Sequence, residues 1–430
     1  MKVRLVSLGC KVNQYEVQAL SALFSERGYA VTEQNDADIV VINSCTVTSL
    51  ADRKTRQLLR RLRREMPQSI IALTGCMPQA DPEAAAKLTE ADIVTGVRDR
   101  AKLIDVIERQ LENRSRNISV TPFLTDELFE PLSAEKFSDS FQRAYLKIED
   151  GCDRFCSYCI IPFARGRVRS RSLEEITAET EKLVKSGYRE IVLTGINLSR
   201  YGADIGLRLK DAVLACAAAN GDFRIRLGSV EPDLISNDDW QALSKIPKLC
   251  PHFHLAVQSG CDRTLKAMNR HYTMAQFLDT VRTIRKMFSN SSITADIIVG
   301  FPGETDEDFE ETCKNIGELG LLRAHIFEYS PRKGTVAAKR GDQIDPQIKK
   351  LRSKRLEAIC DDSAAEFAKG QVGSAARVLL EATGGGYTDN YLYVTLSSAE
   401  KYRTGDFINV TLTAADRSCC IGEVINADNR

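Results

Sequence analysis

The chain has 430 residues with 59 basic and 59 acidic side chains, so its formal net charge is zero and any nucleic-acid partner must meet local basic patches rather than a global field. A hydrophobic share of 43% beside 27% charged residues describes a soluble globular protein, and the length predicts two or three domains. No run approaches the roughly 20 apolar residues of a membrane span, and the opening MKVRLVSLGC is too short an apolar run for a signal sequence. This predicts no membrane contact and a cytoplasmic location, where structural disulfides are rare.

Residues 1–115 alternate strand and helix. KVRLVSLGC, DADIVVINSC, SIIALTGC and ADIVTGV are apolar strand candidates, and NQYEVQALSALFSERGY, VTSLADRKTRQLLRRLRREM and PEAAAKLTE read as the helices between them. That alternation predicts an α/β domain with a Rossmann-like parallel sheet covered on both faces. Over 116–139 the pattern fades into a linker. The rhythm returns over 140–369 with AYLKIEDG, EIVLTGI, FRIRLGSV, HFHLAVQ, ITADIIVG and AHIFEYS, six strands that predict a full or partial β/α barrel. Its chemistry belongs at the C-terminal ends of the strands. A charged helical stretch, DPQIKKLRSKRLEAICDDSAAEFAKG, leads to 370–430, whose short β-rich runs predict a small antiparallel barrel.

The thirteen cysteines are to be read as reduced core residues, metal ligands or catalysts. Cys152, Cys156 and Cys159 form C-x3-C-x2-C directly after the first barrel strand, with Tyr158 just before the third thiol. Structural zinc normally takes four protein ligands, and no second pair lies nearby. Three thiolates suit a cubane iron–sulfur cluster with one iron left open, where the amino and carboxylate groups of S-adenosylmethionine (SAM) can chelate. Reactive core or zinc cysteines are the alternative. Cys10, Cys45 and Cys76 each end an apolar strand: VSLGC, VVINSC, ALTGC. In a parallel sheet the carboxyl ends of the strands line one crevice, so three distant thiols can converge there, and Gly9 and Gly75 let the backbone turn close to a bulky ligand. Any one of them alone reads as a core cysteine; three at equivalent points predict a second three-thiolate cluster.

Two such sets followed by a small β-barrel resemble the radical-SAM methylthiotransferase family along essentially the whole chain. The matching stretches are SLGCKVNQYE, VINSCTVTSLADRKTR, LTGCMPQ, GCDRFCSYCIIPFARGRVRSR, QSGCDRTLKAMNRHYT, DIIVGFPGET and EYSPRKGT. The resemblance implies an N-terminal cluster domain, a radical-SAM barrel and a C-terminal TRAM domain. It also implies two 4Fe-4S clusters, on Cys10, Cys45 and Cys76 and on Cys152, Cys156 and Cys159. One SAM would donate methyl to a sulfur at the first cluster; a second, at the other, would generate the radical that takes hydrogen from the substrate carbon. LGCKVNQYE and CIIPFARGRVRSR look most like the branch that converts N6-threonylcarbamoyladenosine, next to the anticodon at position 37 of tRNA, to its 2-methylthio derivative. The implied partners are a tRNA anticodon stem-loop and an electron donor such as flavodoxin or ferredoxin. The same chemistry on isopentenyladenosine tRNA or on a ribosomal-protein aspartate is the alternative, and a non-catalytic zinc RNA-binding module is the rival from another class.

Carried onto matching positions, the resemblance also implies SAM contacts. Tyr158 lies in the cysteine loop; Thr194, Gly195 and Asn197 end the second barrel strand, toward the methionine amino group. Ser229 and Glu231 end the third, toward the ribose hydroxyls; Gln258 and Ser259 end the fourth, and Gly300 lies near the adenine.

For RNA, the second helix carries Arg53, Lys54, Arg56, Arg60, Arg61, Arg63 and Arg64 with only Asp52 and Glu65 flanking them, and Arg165, Arg167, Arg169 and Arg171 predict a second basic patch. From Gly370 onward the last segment is net acidic: Arg377, Lys401, Arg403, Arg417 and Arg430 stand against Glu381, Asp389, Glu400, Asp406, Asp416, Glu423 and Asp428, five minus seven. Its Tyr387, Tyr391 and Tyr393 are candidates to stack bases or to fill the core. His325, Cys216, Cys250, Cys261, Cys313, Cys360, Cys419 and Cys420 show no ligand spacing; alternation predicts one of the last two facing in and the other out.

Overall fold

A computed structural model describes residues 1–113, 115–124, 127–133, 142–382, 384–398 and 401–425. Much of the expected linker, and Glu400, Asp428 and Arg430 of the acidic count, lie outside the described residues.

The first sheet has six parallel strands in the order Ala30–Val31, Lys2–Ser7, Ile39–Ser44, Ile70–Gly75, Ile93–Thr95, Asn117–Ser119. Its central strands are buried throughout because helices cover both faces. Leu20 and Phe24 of the helix Lys11–Glu26 pack with Ile104 and Ile107 on one side, and Leu59 and Leu62 of the helix Ser49–Glu65 on the other. The four expected strands are joined by two short edge strands. One of them, Asn117–Ser119, lies where the sequence reads as linker; its three exposed residues carry no pattern, and only pairing with Ile93–Thr95 makes it a strand.

The second domain holds all six expected strands, arranged as Arg224–Leu227, Glu190–Thr194, Arg143–Lys147 in one sheet and Ser229–Val230, His252–Gln258, Ser292–Val299, Arg323–Glu328 in another, parallel throughout. A bridge between Ile225 and Leu249 joins them. Among the described residues no pairing connects Arg323–Glu328 back to Arg143–Lys147, so the barrel is partial. Leu146, Ile191, Leu193, Ile225, Leu255 and Ile297 pack outward under the helices. Alternation turns Lys147, Glu190, Arg224, Arg226, His254 and Asp296 to the opposite, inner face, which is therefore strongly polar.

Glu190 organises the barrel floor. It is fully buried and receives Arg143 at 2.6 Å, Arg224 at 2.6 Å and Arg226 at 2.8 Å. Burial opposes its ionisation, but Arg226, Arg224 and Arg143 outweigh that and hold the carboxyl well below the usual range. A depressed folded-state pKa contributes stability that is present above the unfolded value of about 4.3 and is lost as pH falls through the folded one. Glu190→Gln is expected to destabilise the chain by about 3–5 kcal/mol at neutral pH, because three buried guanidinium groups lose their shared counter-charge. Urea denaturation checks this: the deficit should shrink as pH is lowered, and an unchanged midpoint at pH 7 would contradict it.

The last domain is a closed barrel in the strand order Ala375–Ala382, Gly385–Thr388, Tyr393–Leu396, Cys419–Val424, Phe407–Asp416. The expected small antiparallel barrel is present, closed by one parallel pair, Tyr393–Leu396 with Cys419–Val424. Five strands in a ring cannot alternate direction all the way round, so at least one pair must be parallel. The 26-residue helix Pro346–Gln371 joins the two barrels, placing Leu356 and Cys360 in the core of the larger and Ala368 in that of the smaller.

Of the two tyrosine readings, packing is the one seen among the described residues. The loop after Gly385–Thr388 reaches beneath the large barrel, where Tyr391 stacks on His252 (4.5 Å, 21°) and Tyr387 on Tyr391 (4.7 Å, 16°). Tyr393 meets the edge of Tyr387. These rings stack on one another beneath the barrel. Asp389 pairs with Arg224 at 2.8 Å and Glu381 with Arg143, so part of the acidity of this segment is counter-charge for arginines in the neighbouring domain. Cys420 is buried and Cys419 half-exposed, while Cys216, Cys250, Cys261, Cys313 and Cys360 are buried.

Candidate active site between two cysteine sets

Cys10, Cys45 and Cys76 follow three neighbouring strands of the first sheet, whose ends are in register: Ser7 lies beside Asn43, and Ser44 beside Gly75. Cys10 caps the helix Lys11–Glu26 and Cys76 opens the short helix Cys76–Ala80. Two glycines permit this convergence. Gly9 (φ +109°) passes so close that a Cβ there would sit 2.4 Å from the Cβ of Cys45. At Gly75 (φ +104°) a Cβ would meet Asn43 Oδ1 and the Ser44 carbonyl, each at 2.5 Å. Burial and the nearby Cys76 sulfur push the Cys45 thiol up to about 12, with Cys10 adding to the repulsion. Burial also raises Cys76, opposed by Arg165.

The second set occupies the loop before the short helix Ile161–Arg165. Met268 O and Ala267 O accept from Ser157, and Ser157 O accepts from Ala337 N–H at 2.8 Å. Asn269 donates to Phe155 O, so the AMNRHYT stretch and Ala337, just after PRKGT, hold the cysteine loop. Burial pushes the Cys152 thiol up to about 11. It pushes Cys159 up to about 12, with the Cys156 sulfur adding to the rise. Tyr158 is packed edge-on against Phe301 at 6.5 Å.

Each set offers three thiolates, the number that a cubane with one open iron takes. One tetrahedral zinc would draw its sulfurs to about 3.8 Å of one another, since each Zn–S bond is about 2.3 Å. Among the described residues, the one group of potential ligands lying mutually within 4.8 Å is His254, Asp296 and His325, and neither cysteine set is that tight. A cubane carries its thiolates on separate corners and so needs the wider spacing.

The residues expected around SAM fall into distinct settings. Asn197 Nδ2 lies 3.7 Å from Cys152 Sγ, and its backbone N–H donates to Glu149 Oε2 at 2.8 Å. That same carboxylate oxygen fills the space where a Cβ on Gly195 would stand, at 2.5 Å. Asn197 Oδ1 and Glu149 Oε1 are buried without a partner among the described residues, an arrangement that suits an ammonium donor beside Cys152. Burial raises the Glu149 carboxyl well above its usual range, against the pull of the Asn197 N–H. Thr194 is buried, its carbonyl taken by Ile148 N–H. Glu231 is held by Arg270, whose Nη1 also points at Cys156 Sγ at 3.5 Å. Ser229 is exposed, whereas Ser259 is fully buried with its hydroxyl 3.4 Å from Thr312 Oγ1. Gln258 sits at a strand irregularity with φ +63°, and Gly300 packs under Lys349.

Sequence reasoning gave no role to Glu149, Arg270 or Glu16. Glu149 and Glu16 lie inside quoted motifs and Arg270 inside NRHYT, but nothing local says what each touches. It also misplaced three arginines: Arg165, Arg169 and Arg171 are buried, and of that second patch Arg167 alone is exposed. Arg165 instead joins the first domain to the second. Its Nε reaches Cys76 Sγ at 3.0 Å and its Nη2 reaches Asn13 Oδ1 at 2.7 Å, while Nη1 pairs with Glu16. Glu16 also receives Arg100 at 2.9 Å and Lys147 at 3.1 Å. Burial opposes its ionisation, but Arg100, Arg165 and Lys147 hold it far below the ordinary carboxylate range.

On the first basic helix Arg53, Lys54, Arg61 and Arg64 are exposed. Arg63 instead turns inward to Glu90 O and Asp92. Asp52 of the same helix is clamped at 2.6 Å by Arg332 of the EYSPRKGT stretch, fastening the first domain to the second. No helix among the described residues is long and apolar enough to cross a membrane.

Residues 146–316 match a model of the Radical SAM superfamily, and residues 2–96 match an uncharacterized protein family, UPF0004. The Bacillus subtilis (strain 168) protein named threonylcarbamoyladenosine tRNA methylthiotransferase MtaB is 39% identical over 92% of this chain and 90% of its own length. The Thermotoga maritima protein of that name is 37% identical, over 88% and 86%. A tRNA-2-methylthio-N(6)-dimethylallyladenosine synthase from Pelotomaculum thermopropionicum is 35% identical, again over 88% and 86%. In fold, the radical SAM methyltransferase TsrM from Kitasatospora setae is similar with a TM-score of 0.57 at 15% identity, over 76% of this chain and 72% of that one. With relatives this similar along nearly their whole length, the chain belongs to the radical-SAM methylthiotransferase family.

Proposed function

We propose that this chain is a tRNA methylthiotransferase that converts N6-threonylcarbamoyladenosine, next to the anticodon, to its 2-methylthio derivative. The observation that carries the reading is a three-thiol set on each of two domains, with Arg165 of the helix that follows the second set reaching Cys76 and Glu16 of the first domain. The names of the three methylthiotransferases and synthases cited above support tRNA as substrate, and the two more similar of them support the threonylcarbamoyl form.

In this reading Cys10, Cys45 and Cys76 hold one 4Fe-4S cluster and Cys152, Cys156 and Cys159 the other. When bound, the clusters and SAM supply the sulfur, the methyl group and the hydrogen-abstracting radical that an unactivated aromatic C–H requires. Asn197 and Glu149 receive the SAM ammonium beside Cys152, flanked by Thr194 and Gly195. Arg270 steadies the Cys156 thiolate and aims Glu231, with Ser229, at the ribose. Tyr158 packs the cysteine loop in place, while Gln258, Ser259 and Gly300 shape the strand ends around the adenine. The exposed Arg53, Lys54, Arg61 and Arg64 take phosphates of the anticodon stem-loop, giving salt-dependent affinity without sequence readout. A flavodoxin or ferredoxin supplies the electron. The domain limits 1–115, 140–369 and 370–430 divide these tasks.

Anaerobically reconstituted protein should carry about eight iron and eight sulfide. With SAM and a reductant it should convert tRNA bearing the threonylcarbamoyl group, read by nucleoside mass spectrometry. Conversion of isopentenyladenosine tRNA alone would transfer the reading to that branch, and one zinc without iron would end it.

A further inference from the structure

The open side of the partial barrel carries a polar group that no motif announced. His254, Asp296 and His325 stand on three adjacent strands with their polar atoms mutually within 4.8 Å. His254 Nε2 lies 3.1 Å from Asp296 Oδ2, and its Nδ1 meets Thr294 Oγ1 at 2.9 Å. His325 is accessible, and the next inward-facing residue toward the strand end, Phe327, is 45% exposed. The wall is therefore open to solvent rather than packed.

Two cations face this group. Lys11 keeps exposed surface but is enclosed enough that burial, with Arg143 and Arg226, lowers its pKa; it directly follows the exposed Cys10 and lies within electrostatic reach of Asp296, His252 and His325. Arg323 shares the inward face of its strand with His325, two residues on, and is likewise exposed, with its guanidinium 5.9 Å over the Tyr391 ring, a contact that leaves its charge without an acidic partner among the described residues. Against these two charges stands Asp296, already engaged by His254. Glu190, the other acid in reach of Lys11, is saturated by three arginines. The pocket is thus net positive, lined with hydrogen-bonding groups, and placed beside Cys10.

We infer that this pocket receives the polar substituent on the substrate adenine. Lys11 and Arg323 take the carboxylate of the threonylcarbamoyl group, and His325 with the His254–Asp296 pair takes its hydroxyl. This deepens, and rests on, the substrate proposed above. It also gives the discrimination a physical cause: an isopentenyl group would cover Lys11, Arg323 and Asp296 with hydrocarbon and leave them desolvated and unpaired.

The test uses cluster-loaded full-length protein and three anticodon stem-loops of one sequence, bearing plain adenosine, its threonylcarbamoyl form or its isopentenyl form. Wild type is expected to bind the threonylcarbamoyl form best. Lys11→Met should lower that affinity roughly ten- to a hundredfold, the worth of one or two charged hydrogen bonds, and leave the plain stem-loop unchanged. His325→Ala and Arg323→Gln, remote from both cysteine sets in sequence, should act in the same direction and carry the test if Lys11→Met fails to retain iron. Equal weakening of all three RNAs would show that Lys11 meets a phosphate, and unaltered preference in all three variants would remove the pocket. A divalent metal bound one-to-one by wild type and lost in His325→Ala would make the group a metal site instead. Failure of the substrate reading has a separate signature, wild-type protein that modifies the isopentenyl but not the threonylcarbamoyl RNA.

Discussion

Replacing Cys45 with Ala is expected to leave reductive SAM cleavage in place and to abolish methylthio transfer, whereas Cys156→Ala should abolish both. The separation follows from architecture. Cys45 ends a strand of the first sheet, against Gly9 and between Cys10 and Cys76, while Cys156 lies in a loop held by the barrel through Ser157, Asn269 and Arg270. A three-thiolate site that loses one ligand loses its cluster, but nothing in the barrel loop depends on Cys45. Because Cys45 is small and buried, Ala fits its space with little effect on folding. Three measurements decide the matter: iron per chain, 5′-deoxyadenosine produced from SAM, and methylthio nucleoside in tRNA. The Cys45 variant should hold about half the wild-type iron and still yield deoxyadenosine. Methylthiolated tRNA from that variant would take the sulfur-handling role away from Cys10, Cys45 and Cys76.

Arg165→Met should be the most disruptive change outside the cysteines. The guanidinium is fully buried, and its loss leaves Glu16 and Asp150 facing each other with less compensation, Asn13 Oδ1 without its donor and Cys76 without its hydrogen bond. Breaking a buried charge network in this way costs about 3–5 kcal/mol. Much of that is felt where the two domains meet, since Glu16 and Cys76 belong to the first and Arg165 and Asp150 to the second. Arg165→Lys retains the charge, but one ammonium cannot reach Cys76, Asn13 and Glu16 together, so recovery should be partial. Thermal unfolding of the iron-free chain reads the first effect. Iron retained at the upstream cysteines on exposure to a chelator reads the second. A methionine variant with unchanged melting and iron retention would show that the bridge contributes nothing.

The acidic side of the same design explains why a chain of zero net charge carries so many fully buried ions. Glu16, Glu190 and Asp150 each sit among several arginines or lysines, and their carboxyls are held low by them despite burial. The arginine-rich GRVRSR run looked like a phosphate patch because sequence shows charge but not direction. Once Arg165, Arg169 and Arg171 turn inward, the exposed members of the two expected basic patches lie on the outer face of the helix Ser49–Glu65 and at Arg167.

What the chain itself determined was everything that rests on local pattern. Apolar runs alternating with amphipathic helices are visible because a strand buried on both faces must be apolar along its length. Cys10, Cys45 and Cys76 were visible because thiols at the ends of strands recur at equivalent points of the repeating unit, and Cys152, Cys156 and Cys159 because of their spacing within one loop. Contacts between residues far apart in sequence were decided by tertiary structure alone. His325 showed no ligand spacing, because its partners His254 and Asp296 stand on neighbouring strands 71 and 29 residues away and only parallel pairing lines the three up. Tyr387 and Tyr391 could face either a base or a core until the docking of the small barrel placed them under His252. Periodicity encodes which side of an element is buried, while the identity of what covers it depends on the packing of whole domains.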